Sequence, residues 1–103
     1  MQTLPEAAIS KCYGFMGISQ FKLGNYAAAI SSLSNALLTQ GLIANDRANA
    51  TYHLGASYYM IGQYDTAIDV LKDVLSDSIL SGEKRSNASV FLAKCYEKSD
   101  TLY

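Results

Sequence analysis

The chain has 103 residues, of which 50% are hydrophobic and 17% charged, and its formal net charge is −1. This composition fits one folded domain and excludes an intrinsically disordered chain. The scattered Lys and Arg residues exclude the concentrated basic face that nucleic-acid binding needs, and no apolar run is long enough to span a membrane.

Five helices are expected, over about 4–23, 26–40, 46–61, 64–78 and 82–98. Thr3-Leu-Pro-Glu6 reads as a capping box with Pro in the first turn, so the first helix should start near residue 4. Tyr13, Met16, Gly17 and Gln20 then recur at helical spacing as its core stripe. Gly24 should end that helix, and Asn25 can cap the second, whose buried face carries Ala29, Ile30, Leu33, Ala36 and Leu37. Gly41 closes the second helix, and Asn45 or Asp46 can cap the third, with its stripe of Thr51, Leu54, Gly55 and Tyr58. Gly62 and Gln63 repeat the Gly24-Asn25 turn. The fourth helix follows with Ala67, Ile68, Leu71, Val74 and Leu75, and Ser81 can cap the fifth.

These elements are written twice and a half. At an offset of 38 residues, Gly17 meets Gly55, Gly24 meets Gly62, Tyr26 meets Tyr64, Ala29 meets Ala67, Leu33 meets Leu71 and Leu37 meets Leu75. A second shift of the same size brings Asn87-Ala88 onto Asn49-Ala50, Leu92 onto Leu54 and Tyr96 onto Tyr58. The expected organisation of the single domain is therefore a unit at 10–43, a unit at 48–81, a first helix of a third unit or a capping helix at 82–98, and a tail at 99–103.

Gly-x-Tyr-x-x-Ala-Ile at 24–30 and 62–68, with Met16-Gly17 and Leu54-Gly55 seven residues upstream, resembles the tetratricopeptide repeat. Tyr58 and Tyr96 match that family's first-helix Tyr. The period departs from the family's usual length of about 34 residues, Gln20 replaces the first-helix Tyr, and the Pro expected at the end of each unit is missing. The resemblance implies an all-α, right-handed superhelical solenoid of antiparallel helix hairpins in a long-period variant of the family. Gly17, Gly55, Ala29 and Ala67 should let helices approach closely, Gly24 and Gly62 should turn the chain, and Tyr26 and Tyr64 should lie over the turns.

The resemblance further implies a concave groove lined by the first helices, which takes a peptide or helix of another protein. Carried over position by position, its residues are Ile18, Phe21, Lys22, Asn49, Tyr52, His53, Tyr59, Asn87 and Lys94. Phe21, Tyr52 and Tyr59 stand out as aromatic anchors, and Asn49 and Asn87 can pair with a peptide backbone. The clamp that some members use for chaperone C-terminal carboxylates is not reproduced, since Gly14, Ile18 and Phe91 stand where its Lys, Asn and Arg would be.

Chemistry beyond binding finds no support in the residues. His53 has no Cys, Asp or Ser at triad spacing and reads as a packed or groove-facing imidazole. The glycines form no phosphate loop, and Asp65, Asp69 and Asp73 read as a solvated helix stripe. Cys12 and Cys95 lie far apart with no ligand spacing, which argues against zinc and fits a reducing compartment. The expectation is a non-enzymatic interaction module, without catalytic residues, metal or cofactor, in the cytoplasm or nucleoplasm. Neither a nucleic-acid nor a membrane partner is expected, and a signal peptide is not seen at the start. The alternative is a structural segment of a larger solenoid or scaffold that self-associates through its C-terminal helix.

Overall fold

A computed structural model describes residues 5–76, 79–80 and 82–99. Five helices account for most of them: α1 (Glu6–Lys22), α2 (Tyr26–Leu38), α3 (Ala44–Met60), α4 (Tyr64–Ser76) and α5 (Gly82–Ser99). No strand occurs among the described residues. α1 pairs with α2 and α3 with α4 as hairpins, α5 covers the second hairpin, and α3 packs against all four other helices. This is a helical repeat solenoid.

Each hairpin turns on the same backbone device. Gly24 and Gly62 both adopt φ +86°, a left-handed conformation that costs glycine nothing because it has no Cβ. Asn25 N–H then donates to the Gln20 carbonyl at 2.8 Å and Gly24 N–H to that of Phe21 at 3.0 Å. Gln63 and Gly62 make the equivalent bonds to Tyr58 and Tyr59, at 3.0 and 3.1 Å. These are Schellman closures, which satisfy the last carbonyls of the first helix and reverse the chain within three residues.

The hairpins close on glycine. A Cβ placed on Gly17 would fall 2.5 Å from Leu33 Cγ and 3.1 Å from the Leu33 backbone nitrogen. One placed on Gly55 would fall 2.8 Å from Leu71 Cδ2 and 3.3 Å from Val70 Cγ1. Leu33, Leu71, Ala29 and Ala67 are all fully buried at these contacts. Gln20, the departure from the family's Tyr, has a local partner: Ser32 Oγ donates to its Oε1 at 2.7 Å. The corresponding pair one unit later is Tyr58 and Val70, which both pack against the inter-repeat cluster of Ala29, Leu33, Ala50 and Leu54. A polar pair in one unit thus replaces two apolar residues in the next.

Two arginines join successive units. Arg47, in the first turn of α3, donates from Nη1 and Nη2 to the Leu37 carbonyl at 3.4 and 3.2 Å. Arg85, in the first turn of α5, donates from Nη2 to the Leu75 carbonyl at 2.7 Å. In each case the incoming helix caps an open carbonyl at the end of the helix before it.

Several boundaries and contacts differ from the expectations. α1 begins at Glu6, while the proposed capping Thr3 lies outside the described residues, as do Ser81 and the expected end of α4 at 77–78. α2 ends at Leu38, three residues before Gly41, with Thr39 Oγ1 bonded to the Asn35 carbonyl at 2.9 Å. α3 starts two residues before the expected cap, with Ile43 at the N-cap position. Asn25 does hold the N-cap of α2, but its side chain makes no capping bond, and its carbonyl instead accepts from Ala29 N–H. Met16 is not in the core. It is 45% exposed, whereas the equivalent Leu54 is 8% exposed against α2, because no described helix packs on the outer side of α1. Leu92, the equivalent residue on α5, is half-buried against the C-terminal cluster of Tyr52, Leu71, Ala88 and Cys95.

Gly17→Ala and Gly55→Ala should each destabilise the chain by about 1–3 kcal/mol through overpacking, measured by urea unfolding. Combining Gly55→Ala with Leu71→Ala should lose less than the sum of the two single losses, because both act on one contact. Wild-type stability in Gly55→Ala would show that the helices are not held at this distance by the glycine.

Candidate partner-binding groove

The first helices of the repeats share one side of the molecule, and between them runs an open groove of about 500 Å³. α1 contributes Phe15, Ile18 and Lys22, α3 contributes Asn49, Tyr52 and His53, and α5 contributes Glu83, Lys84 and Asn87. Six of the nine residues expected there are therefore brought together. Phe15, Ile18 and Asn49 also border a smaller apolar recess that runs back to Gly14 and Leu42, at whose edge Lys11 and Asp46 lie 4.0 Å apart as an ion pair.

The remaining three sit elsewhere, for reasons of packing. Phe21 turns edge-on to Tyr26 and His53, with ring centroids 5.4 and 5.3 Å apart. Tyr59 stacks obliquely on Phe91 at 5.2 Å and on Tyr64 at 5.8 Å. Lys94 is exposed on α5 outside the groove lining. With Tyr52 against His53 at 4.9 Å and near Phe91 at 6.4 Å, these rings form one aromatic chain from Tyr26 to Tyr64. The predicted anchors thus hold the inner helices to each other, and Tyr52 and His53, at 7% and 8% exposure, form a floor.

The floor is polar at defined points. Since a carbonyl can only accept, His53 Nδ1–H donates to the Asn49 carbonyl at 2.8 Å, which leaves Nε2 as the unprotonated nitrogen. Burial pushes the His53 imidazole below its ordinary pKa; the bond to Asn49 opposes this, and Lys84 and Lys22 add to it. Burial likewise raises the Tyr52 phenol, against a hydrogen bond with Asn87 and with help from Glu83. Asn49 Nδ2 donates to the Asn45 carbonyl at 3.2 Å. Its Oδ1, although buried, has no hydrogen-bond partner among the described residues.

Phe15, Glu83 and Lys84 are groove residues that sequence reasoning missed. Phe15 is 56% exposed, too open for a core stripe. Lys84 and Glu83 carry no groove signal in the sequence, and only the approach of α5 to α3 brings them to the groove. Among the described residues no group of three His, Cys, Asp or Glu side chains could hold a metal. Cys12 is exposed and Cys95 buried, with its thiol raised by burial. No described helix is long and apolar enough to cross a membrane.

The depressed His53 pKa fixes the sign of a pH effect. Below about pH 6.5 the unfolded chain takes up a proton that the native imidazole refuses. Thermal stability should therefore fall as pH drops from 7 to 5, before the carboxylates titrate. His53→Asn, which keeps a donor for the Asn49 carbonyl, should flatten this dependence. An equal slope in the variant would place its origin elsewhere.

Residues 49–78, from the middle of α3 to just beyond α4, match the family model described as the tetratricopeptide repeat. Searches of curated proteins and of solved structures returned no match. The matched segment contains the Leu54-Gly55 pair, the Gly62 turn and the Ala67–Leu71 contact face described above, so the chain carries a tetratricopeptide repeat over these residues.

Proposed function

We propose that the chain is a non-enzymatic protein-interaction module, a long-period variant of its family with units at 10–43 and 48–81 and a further first helix at 82–98. It binds an extended peptide or a helix of another protein in the groove between α1, α3 and α5, in the cytoplasm or nucleoplasm. Repeats of this family generally mediate protein–protein interaction. The observation that carries the reading is Asn49: it lines the groove, and its buried Oδ1 lacks a donor. A buried acceptor left unpaired costs about 1–3 kcal/mol, and rotation of the Asn49 side chain toward the groove would let an N–H of a bound segment remove that cost. Ile18 and Phe15 beside it offer apolar contact to the same segment.

Asn49→Ala separates binding from folding. Peptides selected from a random library on the wild-type chain should bind this variant at least tenfold more weakly, by fluorescence anisotropy. Its melting temperature should be unchanged or higher, since the orphan acceptor is gone. Equal affinity for every selected peptide would remove the groove as the binding site.

A second reading, a self-associating segment of a larger scaffold, is favoured by a separate observation. Cys12 and Met16 are exposed on α1 where the equivalent Ala50 and Leu54 of α3 are buried, and Val90 and Tyr96 on α5 are 50% and 51% exposed. On this reading light scattering should show a mass that rises with concentration and that Met16→Lys or Tyr96→Lys holds at the monomer. A monomeric wild type at millimolar concentration would leave the groove as the only interaction surface in play.

A further inference from the structure

We propose that the groove is built for an acidic segment of its partner, with a side-chain carboxylate seated between Lys22 of α1 and Lys84 of α5, over the His53 edge. This deepens the groove reading and rests on it. Lys22 and Lys84 come from opposite walls, the last turn of α1 and the first turn of α5, and both line the groove. Neither is ion-paired among the described residues, whereas Lys11 at the far recess already faces Asp46. Two cations left across a groove attract an anion that spans them. Glu83 is the one carboxylate in the lining, and its field falls on Tyr52. The lining therefore carries two positive charges against one negative, in the first turn of α5, where exposed N–H groups also favour an anion.

His53 reports on this seat. The charged groups acting on it are Lys22 from α1 and Lys84 from α5; on α3 it meets the Asn49 carbonyl and the Tyr52 ring, and from α1 also the Phe21 ring. The two ammonium groups oppose its protonation in the free chain. A carboxylate lodged between them cancels that opposition and favours a proton on Nε2, because Nδ1–H is already committed to Asn49. Binding and protonation then strengthen each other by the same factor, so an acidic segment binds more tightly as pH falls from 7 toward 5.5, while its own carboxylates stay ionised.

The chain has one histidine, so its imidazole gives a single Hε1 resonance whose midpoint can be followed by NMR. Capped hexaglutamate at millimolar concentration should raise that midpoint by about half a pH unit or more, and capped hexaglutamine should leave it in place. Lys22→Gln with Lys84→Gln should abolish the hexaglutamate-induced rise and weaken hexaglutamate at least about fivefold, with an unchanged circular dichroism spectrum because both side chains are exposed. The proposal is overturned if hexaglutamate moves the midpoint no more than hexaglutamine, or moves it equally in the double variant. Library peptides that need Asn49 but carry no excess of Asp and Glu would overturn the acidic partner and leave the groove reading standing. If no peptide, acidic or neutral, depends on Asn49, the groove reading itself falls.

Discussion

The contact between a leucine and a missing side chain sets the geometry of this molecule. Leu33 lies where a Cβ of Gly17 would be, and Leu71 where one of Gly55 would be. With both leucines fully buried, neither can step aside. That contact fixes how closely each first helix lies to its second, and Ala29 and Ala67 keep the opposing surfaces thin enough to meet. Because both hairpins close on the same kind of contact, α3 presents one flank to α1 and α2 and another to α4 and α5. Its central stretch from Tyr52 to Ser57 is accordingly buried without a break, and the groove is the inner side of the resulting stack.

Much of this was legible from residue types. A glycine at helical spacing opposite a leucine, or at φ-positive turns after the last stripe residue, leaves a pattern in one chain because the constraint is local and steric. The Gly24 and Gly62 turns that close α1 and α3 follow from it. What was not legible depends on partners with no residue signature. Arg47 and Arg85 bond to backbone carbonyls ten residues upstream, and any residue can supply a carbonyl. The caps expected from Asn25, Asn45 and Asp46 failed for a related reason: a side chain that can cap is visible in sequence, but whether the backbone N–H groups are presented to it is not. The placement of residues along the groove was legible in part. Its helices follow from the repeat, so Ile18, Lys22, Asn49 and Asn87 fall in place, while the inward turn of Phe21 and Tyr59 is decided by rings on neighbouring helices.

That aromatic chain assigns different work to residues that look alike. Phe21 and Tyr59 occupy equivalent positions, and each leans on the Tyr that opens the following helix, Tyr26 or Tyr64. Both also reach across to the next first helix, Phe21 to His53 and Tyr59 to Phe91. Tyr52 and Tyr59 thus hold first helices side by side, while Tyr26 and Tyr64 brace the first helix of their own hairpins. On the proposed function, recognition falls instead to shorter polar groups, the Asn49 amide above all, and to the lysines that flank the floor.

The same repeat position also has different fates along the stack. Met16, Leu54 and Leu92 are equivalent, yet the first is largely exposed, the second buried and the third half-buried. Burial follows from what packs over that position: α2 covers Leu54, the C-terminal cluster partly covers Leu92, and no described helix covers Met16, so each first helix depends on its neighbours in the stack. The groove inherits that dependence. The matched repeat at 49–78 contains Asn49, Tyr52 and His53 but neither Lys22 nor Lys84. One unit thus supplies the floor and its orphan acceptor, and only the two helices stacked on either side of it supply the charge. A site divided in this way loses its electrostatic half whenever α1 or α5 separates from α3, even while the central hairpin remains folded.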